Sequence, residues 1–133
     1  MAKSKRTISF LLPPYGYPPN AWREAIHRRA VQAARLRGVR LKDFKRESAV
    51  AVDVKLYLSK GGPFDMHDVD NRLKDILDAL QGSAGGAKGA RSSLAPKIIA
   101  NDSSVRSAVI RKTSPPKNRL GDGGRVTIRS LRS

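Results

Sequence analysis

The sequence predicts an α+β domain: two layers, a mixed sheet of about four strands packed against two helices. Three observations point there. Short β-prone or alternating segments near residues 7–12, 49–58, 105–112 and 125–131 have strand length and strand periodicity. Two other segments, 20–37 and 71–80, repeat their apolar residues at helical spacing. The chain has 133 residues, enough for a single domain with one modest core, and shows no internal repeat.

Taken in order, residues 1–6 form a basic leader and Thr7–Leu12 the first strand. PPYGYPPN, residues 13–20, reads as a loop with two tyrosines, because its prolines remove donors and fix the backbone. Asn20 is a good helix N-cap and Gly38 a good stop. Between them Trp22, Ile26, Ala30, Ala33 and Leu36 form an apolar stripe. Arg23, Arg28, Arg35 and Arg37 lie mostly off it, giving a basic outer face that either meets phosphates or is simply solvated.

Ala49–Leu58 alternates: Val50, Val52, Val54, Leu56 and Leu58 share one face, Asp53, Lys55 and Tyr57 the other. The second helix is expected over Asn71–Leu80. Leu73, Ile76, Leu77 and Leu80 make its buried stripe, Asn71, Lys74, Asp75 and Asp78 its polar side, and Gly82 ends it. Residues 83–96, rich in Gly, Ala and Ser, read as a long flexible loop. Val105–Lys112 and Arg125–Leu131 are strands joined by a long hairpin-like loop over residues 113–124.

Lys and Arg number 27 against 11 Asp and Glu, a formal net charge of +16. Such a field calls for a polyanionic partner, usually nucleic acid. The absence of cysteine excludes disulfides, thiolate metal sites and cysteine nucleophiles, and two histidines make a histidine-rich metal site a poor fit. No apolar run is long enough to cross a membrane, and the short run after the basic start is too brief for a signal-peptide core. An intracellular protein is expected.

Against this basic background, five of the 11 acids (Asp65, Asp68, Asp70, Asp75 and Asp78) fall within 14 residues. In an extended segment, Asp68 and Asp70 point to one side. Two carboxylates that close repel unless a cation lies between them, and a hard oxygen-loving ion such as Mg²⁺ is the natural guest. Lys74 follows Asp70 by about one helical turn and leans back toward it, where it can hold a phosphate. Helix capping is the plain alternative for an acid before a helix, but a cap needs only one. Asp102, in the turn before Val105, is a candidate third ligand; an ordinary Asn-Asp turn is its plain reading.

The run Asp68-Val69-Asp70-Asn71-Arg72-Leu73-Lys74-Asp75-Ile76-Leu77-Asp78-Ala79-Leu80 resembles the signature of the RusA-type Holliday-junction resolvases. Asn101-Asp102-Ser103-Ser104-Val105 is similar to that family's second motif, and Leu12–Asn20 loosely echoes its early proline loop. The element order is also the same. Two departures stand out: Asn101 takes the first place of an acidic pair, and the loop from Gly82 to Pro96 is longer than usual. The resemblance implies a crossover junction endodeoxyribonuclease: a small homodimeric hydrolase acting on four-way or branched DNA. Asp68, Asp70 and Asp102 would be catalytic and hold Mg²⁺ (Mn²⁺ as a substitute), with Lys74 needed for activity, Asn71 as a cap and Asp78 as a supporting partner. It implies a cytoplasmic, bacterial or phage-encoded protein associated with the nucleoid, with no small-molecule substrate.

Other residues carry less. His67 beside the motif, and Asp65 in a Gly-Pro turn region, read as bystanders. Asp75 reads as a surface acid near Arg72 or Lys74. Tyr15 and Tyr17 are candidates for stacking on exposed bases, whereas Trp22 fits the buried stripe. The competing reading is a non-catalytic basic binder of branched DNA or RNA, including a ribosomal protein; it leaves Asp68, Asp70 and Lys74 unexplained.

Overall fold

The computed structural model describes residues 7–15, 19–40, 49–58, 69–85, 92–93, 97–99, 102–114, 116–117 and 123–131. They form an α+β fold, a four-stranded mixed sheet with two α-helices. In chain order the elements are β1 (Thr7–Leu12), α1 (Pro19–Arg37), β2 (Val50–Tyr57), α2 (Val69–Leu80), β3 (Ser83–Gly85), β4 (Ser92–Ser93), β5 (Val105–Thr113) and β6 (Gly124–Ser130). Among the described residues, no helix is long and apolar enough to cross a membrane.

The strand order is β1-β6-β2-β5. β6 runs antiparallel to both β1 and β2, and β2 pairs with β5 in parallel. The connection over residues 113–124 is therefore not a hairpin, because β2 lies between the strands it joins. Alternation decides which side of the sheet meets the helices. Ile8, Phe10 and Leu12 of β1, Val50, Val52, Val54 and Leu56 of β2, and Val126 and Ile128 of β6 enter the core. Gly124 permits close backbone packing at the start of β6: a Cβ there would collide with the Lys55 carbonyl oxygen.

Helix α1 begins at Pro19, one residue before Asn20, with proline in the first turn where its missing N–H costs nothing. It ends in a Schellman turn. Gly38 has φ 72°, its N–H donates to the Arg35 carbonyl at 3.2 Å, and that of Val39 to the Ala34 carbonyl at 2.9 Å. Trp22, Ile26, Ala30 and Ala33 are buried as the stripe predicts, but Leu36 in the last turn is 80% exposed. The Trp22 indole N–H donates to the Pro13 carbonyl at 2.8 Å, and Arg29 to the Leu11 carbonyl at 3.0 Å. These bonds tie the helix to the end of β1.

Helix α2 starts at Val69, two residues earlier than the periodicity predicts, so Asn71 lies in its first turn rather than capping it. Gly82, at φ 89°, closes it, and the Ile98 and Ile99 amides both donate to the Leu80 carbonyl at 2.9 and 3.0 Å. Residues 83–96 are not wholly a loop: β3 and β4 pair antiparallel as a short ribbon.

Candidate functional site

Five residues of α2 share one line of the helix by their spacing: Asp70, Leu73, Lys74, Leu77 and Asp78. With Val105, the first residue of β5, they line an open cleft of about 540 Å³. A single 3-10 turn, Asp102–Ser104, runs directly into Val105. Three residues of such a turn advance about 6 Å, so the Asp102 backbone lies about that far along the chain axis from Val105. Asp70 and Val105, about thirty-five residues apart in sequence, are brought to one cleft by the packing of α2 against β5.

Asp70 and Lys74 are exposed to solvent on this wall, one helical turn apart. Asp70 stands in the first turn of α2, where the positive end of the helix dipole favours a carboxylate. The structure thus revises the extended pairing of Asp68 with Asp70: Asp70 belongs to the helix, and Asp68 is the residue immediately before it. Asp68, His67, Asp65, Tyr17 and Asn101 lie outside the described residues, as does the side chain of Asp102. Among the described residues, no three acidic or imidazole side chains converge.

Asp78 lines the same cleft but is eight residues from Asp70, about 12 Å along the axis, too far for both to grip one ion. It lies 3.7 Å from the Arg23 guanidinium. Lys74 sits between the two carboxylates. The donor chemistry on this wall suits a hard cation: an exposed carboxylate beside a roomy, solvated space. Asp68 precedes α2 by one residue in the sequence, and Asp102 precedes Val105 by three.

Asp75 is not a surface acid. It is buried, with its side chain 9% exposed, between two guanidinium groups. Arg23 donates to Asp75 Oδ1 from Nη2 at 2.6 Å and from Nε at 3.2 Å, and Arg72 Nη2 faces Oδ2 at 3.2 Å. The Arg72 guanidinium carbon also lies 4.5 Å from the Tyr15 ring centroid and 5.9 Å from that of Trp22. The two rings meet edge-on with centroids 4.9 Å apart. Tyr15 is thereby engaged within the fold, packed against the core and Arg72.

This polar seam buries Asp75, a residue of the side of α2 expected to be polar. Asp75, Ile76, Ala79 and Leu80 are buried; Leu73 and Leu77, expected in the same stripe, are half-buried, packed against the core and lining the cleft. Asp75 and Arg23 therefore help set which face of α2 carries Asp70 and Lys74 outward. The Arg72–Asp75 spacing was visible in the chain; the Arg23 contact, 52 residues away, was not.

No protein-family model matches this chain, and no curated protein matches it closely enough to serve as a relative. The chemistry of the cleft therefore carries the functional reading.

Proposed function

We propose that this chain is a Mg²⁺-dependent, structure-specific endonuclease that resolves four-way DNA junctions by paired symmetric nicks. The observation that carries the reading is the cleft itself. Asp70 and Lys74 stand on one wall, and the other wall begins where the Asp102 turn enters β5. The net charge of +16 supplies the attraction for a polyanion, and the few acids gather where a cation is needed.

In this reading Asp68, Asp70 and Asp102 hold the ion, with Mn²⁺ as a substitute. A bound divalent ion supplies Lewis-acid activation of water and stabilises the departing ester oxygen. Lys74 holds a non-bridging oxygen of the scissile phosphate and stabilises the charge that builds there as the P–O ester bond breaks. Asp78 and Arg23, at the far end of the wall, restrain the face of α2 from which Lys74 projects. Leu73, Leu77 and Val105 give the cleft an apolar floor, which strengthens the electrostatic contacts above it.

A four-way junction has two-fold symmetry, and resolving it takes two matched cuts. A homodimer with two-fold symmetry presents two identical clefts related in the same way. Such an enzyme works in bacterial cytoplasm on nucleoid or phage DNA and takes no small-molecule substrate. The test compares a synthetic four-way junction with linear duplex of the same sequence, with and without Mg²⁺. The reading expects symmetric, Mg²⁺-dependent nicks on the junction alone. Binding without cutting at every Mg²⁺ and Mn²⁺ level would leave a non-catalytic binder.

A further inference from the structure

Among the described residues, both helices pack on one side of the sheet, and the other side is strongly charged. By register, Arg125 of β6 lies opposite Lys55 of β2, and Lys55 lies opposite Arg111 of β5. Three cations thus stand in one row across three neighbouring strands. Arg129, four residues beyond Arg125, adds a fourth on the same side. All four line a shallow hollow of about 270 Å³ on the face away from α1 and α2, where Asp53 is the one carboxylate among the described residues.

Like charges directly opposite in a sheet are destabilising. Little among the described residues offsets this row. Asp53 meets Arg111 at 3.4 Å in an exposed pair, and Arg125 donates to the Ser9 hydroxyl at 3.0 Å. Among the described residues, no ion pair engages Lys55 or Arg129. The row spans about 10 Å across three strands, and Arg125 to Arg129 about 13 Å along β6. That footprint is too wide for one phosphate group and suits successive phosphates of a backbone.

We infer that the face of the sheet away from α1 and α2 is a second nucleic-acid contact surface, where Lys55, Arg111, Arg125 and Arg129 hold the sugar-phosphate backbone of a DNA arm. The inference rests on the DNA-binding part of the proposed function, not on cleavage. The face lies on the opposite side of the sheet from the α2 cleft, so it extends the contact beyond the cutting site. A second copy of the chain is a poor occupant. A two-fold contact would lay this cationic row against itself.

The test measures binding of the full chain to a synthetic four-way DNA junction without divalent ions, by fluorescence anisotropy between about 50 and 200 mM salt. Each phosphate contact contributes about 0.9 to the slope of log affinity against log salt, so Lys55→Gln with Arg125→Gln flattens it by about 1.8. Asp53→Asn, which removes the opposing carboxylate, tightens binding at low salt. Far-UV circular dichroism of each variant confirms the fold. An unchanged slope overturns the inference, as does absence of DNA binding by the wild type. A change of oligomeric state in the double variant with the slope unchanged also overturns it, assigning the face to contact between copies. A flattened slope in a protein that never nicks junctions retains this surface and removes only the nuclease reading; nicking with an unchanged slope does the reverse.

Discussion

Removing the Asp75 carboxylate provides a direct test of how α2 is held. Asp75→Ala leaves the Arg23 and Arg72 guanidinium groups facing each other with their shared anion gone. Their side chains are only 17% and 14% exposed. Breaking a buried ion pair by deleting one partner costs about 3–5 kcal/mol, because the remaining charge stays buried. Here each guanidinium can rehydrate in part, and Arg72 keeps its contact with the Tyr15 ring. The expected loss is therefore about 2–4 kcal/mol, a large share of the roughly 5–15 kcal/mol that holds a domain together. Urea unfolding followed by far-UV circular dichroism measures it. A double-mutant cycle with Arg23→Ala isolates the Arg23–Asp75 term, expected at about 1.5–3 kcal/mol for a charge-assisted bond. A loss below about 0.5 kcal/mol with no coupling to Arg23 would refute the reasoning, since exposed surface pairs give such values.

Three further outcomes follow from the same contacts. Lys74→Ala lowers junction nicking by about 10²–10³-fold while junction binding and thermal stability stay near wild type, as measured by single-turnover kinetics and melting. Gly124→Ala forces β6 away from the Lys55 carbonyl and costs at least ~2 kcal/mol in urea unfolding; wild-type stability would contradict the packing described. Trp22→Phe strands the Pro13 carbonyl without its indole donor and costs about 1–3 kcal/mol, where a neutral result would mean that water replaces the bond.

Much of the fold was legible because its elements are locally encoded. Thr7–Leu12 has the bounds its β-propensity gave, and β2 differs from the expected strand by one residue at each end. Gly38 and Gly82 stop their helices by the left-handed backbone that glycine adopts freely. The misreadings concern non-local features. The start of α2 was placed late because Asp68-Val69-Asp70 carries no apolar periodicity. The burial of Asp75 was missed because a leucine count cannot know that an arginine from α1 shelters it. The insertion of β6 between β1 and β2 is likewise a long-range pairing that no single segment announces.

The candidate site divides along the same line. Asp70 and Lys74, four residues apart on one helix, could be joined from the chain alone. That Val105, just after the Asp102 turn, forms the opposite wall depends on the parallel pairing of β5 with β2 and the seat of α2 above it. The cationic row on the open face was hidden for the same reason. Lys55, Arg111 and Arg125 come from three strands, and only their register makes them neighbours.

The most direct test of the account places wild type and Asp70→Asn side by side on a synthetic four-way junction in Mg²⁺. Asp70 is exposed and, among the described residues, in no ion pair, so its amide retains size and stability while losing the charge that a cation requires. The account predicts symmetric nicks by the wild type, none by Asp70→Asn, and undiminished junction binding by both. Equal nicking by the two proteins would contradict it, since the cleft at the head of α2 would then not be where the chain cuts.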